Sequence, residues 1–265
     1  MDVWVGLAGS ASIALIAYRK RSLTRSGALA AIVVGSILYG MGSLPWFGTL
    51  IAFFLSSTLL TKWKGKQKSE MEENYEKTGR RDAGQVFANG GLGVLLCICA
   101  FIWESPWWWL AFVGVMSTVN ADTWATEIGS LSKRSPRFLL TGRTVAPGTS
   151  GGVTALGLLA SLAGGLFIGA VAWLFAQMIG EELRLGQLLL IGGGAGLAGS
   201  LFDSLLGALF QAMYKCTVCQ KETERRTHCG VKAAPLRGLS FLNNDWVNSI
   251  SSVFGGAVAM LIGAI

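Results

Sequence analysis

Charge is scarce in this sequence and histidine nearly absent: 14% of the 265 residues are charged and one is His. Soluble domains carry about 25% charged residues, so a solvated globular exterior is excluded for most of the chain. A cleaved leader is disfavoured too. Met1-Asp2-Val3 opens into apolar sequence without a basic region, and Arg19, Lys20 and Arg21 follow the run. That order points to a retained helix with its N-terminus outside. No loop interleaves a basic stripe with aromatics, which excludes nucleic acid as a partner. No convincing internal repeat is present. The longest loop, 214–243, is too short to bury a core unaided. A single integral-membrane domain over 1–265 is the expected organisation.

What the sequence has is long apolar runs, and roughly 20 such residues span a bilayer as a helix. Eight candidate spans lie at about 3–18, 27–44, 46–61, 84–103, 107–128, 152–178, 187–213 and 245–264. The fold class expected is therefore all-α and polytopic. With the loop 19–26 inside and strict alternation, the inside loops are 19–26, 62–83, 129–150 and 214–243. They hold 21 of the 22 Lys and Arg residues, leaving only Arg184 outside. Such separation follows the positive-inside rule and puts the motif loops in the cytoplasm. A prokaryotic plasma membrane is the expected location. The net charge of +7 then reflects orientation and attraction to anionic ligands and membrane lipids.

Trp46, Trp103, Trp107, Trp108 and Trp109 read as an interfacial belt. Gly192, Gly196, Ser200 and Ser204 recur every four residues, a small-residue face suited to close helix contact in lipid. The segment 62–83 reads as a charged, partly helical connector.

Acidic residues inside spans cost about 2.5–3.5 kcal/mol each on insertion scales, yet Asp122, Glu127, Asp203 and Asp245 all fall in apolar stretches. In this topology they share the cytoplasmic half of the membrane. Arg81, Gln85 and Asn89 add a stripe at i, i+4 and i+8, with Asp82 beside it. Polar groups on four helices at one depth imply a shared hydrophilic cavity. The plain structural alternative is internal ion pairs of Asp82 with Arg80 or Arg81, and helix caps such as Asn243 or Asn244.

Carboxylates and amides at one depth suit a hard cation, Mg²⁺ above all. Asp122 and Glu127 are five residues apart, about 140° around a straight helix. They reach one metal only if the helix breaks. Lys133, Arg134, Arg137 and Arg143 precede Pro147-Gly148-Thr149-Ser150-Gly151-Gly152, which runs into the sixth span. Free N–H groups at a helix start, with glycines allowing close approach, bind phosphate. The turn is not a Walker A sequence. Cation, phosphate cradle and basic residues together are the equipment of phosphoryl transfer.

Cys97 and Cys99 lie in the fourth span and read as apolar filling. Cys216-Thr217-Val218-Cys219 with His228-Cys229 differs, since paired ligands in a short cytoplasmic loop look like a small zinc knuckle. The alternative is four unliganded side chains; a disulfide does not suit the cytosol.

Four elements in order carry a resemblance: Arg80-Arg81-Asp82 with Gln85 and Asn89-Gly90-Gly91, then Ala121-Asp122-Thr123-Trp124-Ala125-Thr126-Glu127-Ile128-Gly129, then Pro147-Gly148-Thr149-Ser150-Gly151-Gly152, then Asn244-Asp245-Trp246-Val247-Asn248. From about residue 20 onward the chain resembles the transmembrane protein 19 family, a former domain of unknown function that includes the plastid phytyl-phosphate kinase. Ser150 stands where many relatives carry Asn, and the Cys/His cluster is not part of the family pattern. The resemblance implies phosphorylation of an isoprenoid monophosphate by CTP or another nucleoside triphosphate. Asp122 and Asp245 would then hold Mg²⁺, with Glu127 or Asp203 as ligand, outer partner or base. Arg80, Arg81, Lys133 and Arg143 would neutralise phosphates, with Gln85, Asn89, Asn244 and Asn248 lining the substrate site. Gly148, Thr149, Gly151 and Gly152 would cradle a phosphate. Two other readings use the same residues: a cytidylyltransferase making a CDP-lipid, and a transporter or flippase of phosphorylated lipids or ions.

Overall fold

A computed structural model describes residues 3–63, 76 and 79–265. The connector read as partly helical lies mostly outside them. Among the described residues seven helices carry the fold: α1 Val3–Arg19, α2 Arg25–Lys62, α3 Ala83–Ile102, α4 Pro106–Gly129, α5 Ala155–Met178, α6 Leu185–Leu209 and α7 Asn244–Gly263. Local chemistry sets their starts. Thr24, Ser105, Thr154 and Asn243 each accept a backbone N–H in the first turn that follows. Asp82 and Gln85 form a reciprocal capping box on α3. So Asn243 is a cap, as the plain structural alternative allowed, and Asp82, which that alternative put in an ion pair, caps α3.

The long α2 is not one straight rod. Ser43 has φ 66° and ψ −165° and Pro45 follows inside the helix. Pro lacks an N–H and clashes with the preceding turn, so the helix breaks where the sequence separates two spans.

Five helices, α2, α3, α5, α6 and α7, are long and apolar enough to cross a membrane among the described residues. The helix α1 is shorter, at 17 residues. The helix α4 carries Asn120, Asp122 and Glu127, but every residue from Leu110 to Ala121 is buried. It packs against α3, α5, α6 and α7 and forms the centre of the bundle. Polar residues are tolerated there because neighbours, not lipid, surround them.

Two apolar clusters flank α4. One joins Val34, Leu38, Trp46 and Phe53 of α2 to Cys97, Phe112, Met116 and Ile168. The other joins Leu110 and Val113 to Leu188, Ile191, Ala195 and Ala259. Trp46 thus corrects the aromatic-belt reading. It is buried, with its ring 4.5 Å from Phe112 and 5.2 Å from Trp109. Trp103 and Trp107 stay exposed, as a belt residue would.

The all-α expectation fails in two loops. Strands β1 Arg137–Phe138 and β2 Gly152–Val153 pair between α4 and α5. Between α6 and α7, β3 Met213–Lys215, β4 Glu222–Thr223 and β7 Ala234–Arg237 form a sheet in the order β4-β3-β7. Beside it, β5 Thr227–His228 pairs with β6 Val231–Lys232. These strands are two to four residues long, too short for an alternating hydrophobic pattern to announce them.

Candidate functional site

Where α4 and α6 approach the loops, the bundle opens into a cavity of about 540 Å³. Its wall includes Asp122, Glu127, Asp203, Asp245, Arg81, Gln85, Asn89, Lys133, Gly148, Thr149, Gly151, Gly152, Asn244 and Asn248. Residues from five separate stretches of sequence therefore meet at one surface.

The helix α4 is unbroken, so Asp122 and Glu127 diverge as their spacing requires. Asp122 turns to α6, with the Ser200 hydroxyl 3.5 Å from its Oδ1. Glu127 turns to α2 and accepts the Thr61 hydroxyl. Across the cavity stands Asp203, close enough to feel the charge of Asp122. Asp203 accepts the Ser251 hydroxyl at 2.8 Å. Among the described residues neither Asp122 nor Asp203 has a Lys or Arg partner; both are held by hydroxyls. A third feature faces the same space. The Oδ1 of Asn248 is buried without a hydrogen-bond partner, an orphan acceptor in a cavity wall. Two uncompensated carboxylates and an orphan amide oxygen fit a hard oxygen-seeking divalent cation. Asp245, in the first turn of α7, extends that oxygen set.

Arg81 supplies opposite charge. Its guanidinium donates to Thr58 Oγ1 at 3.2 Å and Ser57 Oγ at 3.0 Å. It lies 5.6 Å from the ring centres of both Phe53 and Phe54. Burial pulls it down to about 10, against the favourable charge of Glu127, so it stays cationic at neutral pH. Gly27 makes this approach possible, since a Cβ there would sit 2.1 Å from the Arg81 carbonyl oxygen. Lys133 and Arg134 extend the positive edge at the rim.

Two basic residues expected at the site lie elsewhere. Arg80 donates to the Leu23 carbonyl and packs over the Tyr18 ring, so it anchors the chain end entering α3. Arg143 is exposed on the β1–β2 loop and does not line the cavity.

The Gly-rich turn also differs from its expected form. Helix α5 begins at Ala155, after β2, and is capped by Thr154. The turn is thus a loop of its own, not a helix N-terminus. Gly148 and Gly151 have φ of +83° and +85°, conformations that L side chains rarely adopt. A Cβ at Gly151 would lie 2.5 Å from that of Ala208. The N–H groups of Thr149 and Gly152 close the turn on the Ala146 and Thr149 carbonyls.

Three residues that the spacing argument missed complete the wall or brace it. Gln211 accepts the Ser150 hydroxyl at 2.9 Å and donates to Glu224 at 2.8 Å. Burial lifts Glu224 to about 7, with the charges of Glu76 and Asp203 adding and hydrogen bonds from the Glu76 N–H and Gln211 opposing. Arg237 donates to the Ser150 carbonyl at 3.0 Å and to the Gly207 and Ala208 carbonyls at the end of α6. Burial lowers its pKa. A cation at a helix C-terminus is favoured by the dipole. Glu224 and Arg237 lie in the charged loop 214–243, and Gln211 near the end of the seventh span, where no spacing singles them out.

The family described as integral membrane protein DUF92 matches residues 8–256. The chain is 33% identical over 261 residues to "Protein PGR" of Arabidopsis thaliana, covering 91% of this chain and 89% of that one. It is 29% identical over 250 residues to an uncharacterized membrane protein of Methanocaldococcus jannaschii, covering 94% and 90%. It is 28% identical over 248 residues to "Protein VTE6, chloroplastic" of Arabidopsis thaliana, covering 91% and 65%. No solved structure matches.

Proposed function

The chain belongs to the integral membrane family DUF92, and on that premise we propose that it is a membrane prenyl-phosphate kinase. It moves a phosphoryl group from CTP or another nucleoside triphosphate to an isoprenoid monophosphate such as phytyl phosphate. One observation carries the reading. Asp122 and Asp203 face one cavity without a cationic partner among the described residues, and the Gly-rich turn, Arg81 and Lys133 share that cavity. The resemblance to the family of the plastid phytyl-phosphate kinase supplies the substrate class.

A route for the lipid supports it. A narrow apolar cleft among α1, α2 and α3 is lined by Ile13, Val34, Phe47, Leu50 and Phe54. It meets the polar cavity at Arg81, Gln85 and Asn89, which line both. An isoprenoid chain in the cleft puts its phosphate beside Arg81. The nucleotide enters from the loop side, over Lys133 and the Gly-rich turn.

In the reaction an oxygen of the lipid phosphate attacks the terminal phosphorus of the triphosphate. The bond from that phosphorus to the bridging oxygen breaks, and the nucleoside diphosphate leaves. The second pKa of a phosphate ester is about 6, so the nucleophile is already anionic at pH 7 and no carboxylate base is required. Asp122, Asp203 and Asp245 are the residues that would hold Mg²⁺, which neutralises triphosphate charge when bound. Arg81 and the rim lysine neutralise the rest. In the membrane we read α2 as two crossings, giving eight in all. We place the N-terminus outside and the cavity on the cytoplasmic side of a prokaryotic plasma membrane, an orientation that the Lys and Arg distribution supports.

The test is transfer of γ-label from CTP or ATP to phytyl or geranylgeranyl monophosphate by the purified protein with Mg²⁺. Labelled lipid diphosphate and released CDP are expected. Released pyrophosphate would replace the kinase with a cytidylyltransferase, and nucleotide-independent lipid flux in sealed vesicles would replace it with a transporter.

A further inference from the structure

The loop between α6 and α7 carries a cluster that the cavity does not account for. The ligand atoms of Cys216, Cys219, His228 and Cys229 all lie within 4.8 Å of one another. They come from two hairpin tips. At the first, the Gln220 N–H donates to the Cys216 carbonyl and the Cys216 N–H to that of Lys221, with Gln220 at φ +60°. At the second, Cys229 and Gly230 have φ of +52° and +74°, the pattern of a two-residue turn with both φ positive. That turn brings the adjacent His228 and Cys229 to one point. Left-handed backbone at Gln220 and Cys229 is costly and persists where the surroundings enforce it.

The spacing fits a tetrahedral ion. With Zn–S about 2.3 Å and Zn–N about 2.0–2.1 Å, a sulfur and a nitrogen on one zinc stand about 3.5 Å apart. His228 Nδ1 lies 3.5 Å from Cys219 Sγ and 3.3 Å from Cys229 Sγ. Three thiols and an imidazole select a zinc-like ion over Mg²⁺ or Ca²⁺. The loop also needs such a staple, since its own apolar cluster is only Ala212, Tyr214 and Ala233.

We propose that these four side chains bind one zinc ion, which fixes the loop against the cavity. The connection is short. Glu224 lies between the two ligand pairs, and its carboxylate reaches Gln211 and through it Ser150 of the Gly-rich turn. Arg237, on the strand paired with the one that leads into Cys216, holds the Ser150 carbonyl. The zinc therefore braces the Gly-rich turn through Gln211 and Arg237. The metal site rests on its own ligands; only its effect on turnover rests on the kinase reading.

The full-length protein, purified in detergent without chelator, is assayed for metal content beside the Cys216→Ser/Cys219→Ser variant. One zinc per chain in the first and none in the second is expected. Because the variant can fail to fold, Co²⁺ is also added to chelator-treated wild type, where thiolate-to-cobalt charge transfer and intense tetrahedral d–d bands are expected. Folded wild type that takes up neither zinc nor cobalt overturns the proposal. Zinc removal is expected to lower label transfer about tenfold or more, reversibly. Bound zinc whose removal leaves transfer unchanged overturns the bracing role. A wild type with zinc but no transfer from any donor overturns the kinase reading instead.

Discussion

The helix α6 is built from one stripe of small residues, and its two halves do opposite things. At Gly192 and Gly196 it lies against α5 backbone to backbone. A Cβ at Gly192 would stand 2.5 Å from the Gly165 oxygen, and one at Gly196 2.8 Å from the Gly165 Cα. Two turns on, Ser200 touches Asp122 and Ser204 lines the cavity. The four-residue spacing is the same throughout. The difference lies across the interface, where one half meets glycine backbone and the other meets carboxylates. Close packing at one end fixes the helices that hold Asp122 and Asp203 apart at the other. Rigid support of this kind is what positioned charge chemistry needs.

The sharpest way to separate the halves is Asp122→Asn or Asp203→Asn. Each is expected to lower label transfer about a thousandfold, by analogy with the loss of one electrostatic stabiliser. Helical content and melting temperature should be retained, because both residues sit in hydroxyl contacts that an amide also makes. Gly192→Leu should do the reverse. Overpacking costs about 1–3 kcal/mol, so detergent melting falls, while whatever protein folds keeps its affinity for Mg²⁺.

Arg81→Lys tests the cationic edge. A lysine keeps the charge but loses the fork to Ser57 and Thr58 and the stacking on two phenylalanines. A rise of about tenfold in KM for the lipid phosphate is expected, with a smaller change in kcat. Glu224→Gln addresses pH. Burial raises Glu224 to about 7, so the fold favours its protonated form. That contribution is complete below the ordinary Glu value and is lost as pH rises towards 7. Wild-type melting temperature should therefore fall across that window and flatten above it, and the Gln variant should lack that slope. Arg143→Ala is expected to leave transfer within about twofold, as for surface positions that touch no site.

Much of this was legible in the sequence. Apolar runs located the helices, and the break before Pro45 was visible as the gap between two spans. The 140° between Asp122 and Glu127 foretold that they would part. The depth argument brought Asp203 and Asp245 to one cavity with Arg81, because depth in a bilayer is set by position along a helix. Loop geometry obeys no such rule. The resemblance implies phosphate roles for Arg80 and Arg143, but Arg80 donates to the Leu23 carbonyl and Arg143 is exposed on the β1–β2 loop. Glu224 reaches the cavity, and Arg237 the Ser150 carbonyl, only because the α6–α7 loop folds back as short hairpins, a tertiary event without periodicity. Trp46 looked interfacial because span ends attract tryptophan, yet the break in α2 turns it inward against Trp109 and Phe112.

The most direct measurement of the central claim, that the open end of the bundle is a cation and phosphate site, is Mn²⁺ binding followed by electron paramagnetic resonance. Wild type, with geranylgeranyl monophosphate and a non-hydrolysable CTP analogue, should bind Mn²⁺ that Mg²⁺ displaces. The Asp122→Asn/Asp203→Asn variant, with unchanged helical content, should not. Equal Mn²⁺ binding by the two would contradict the account.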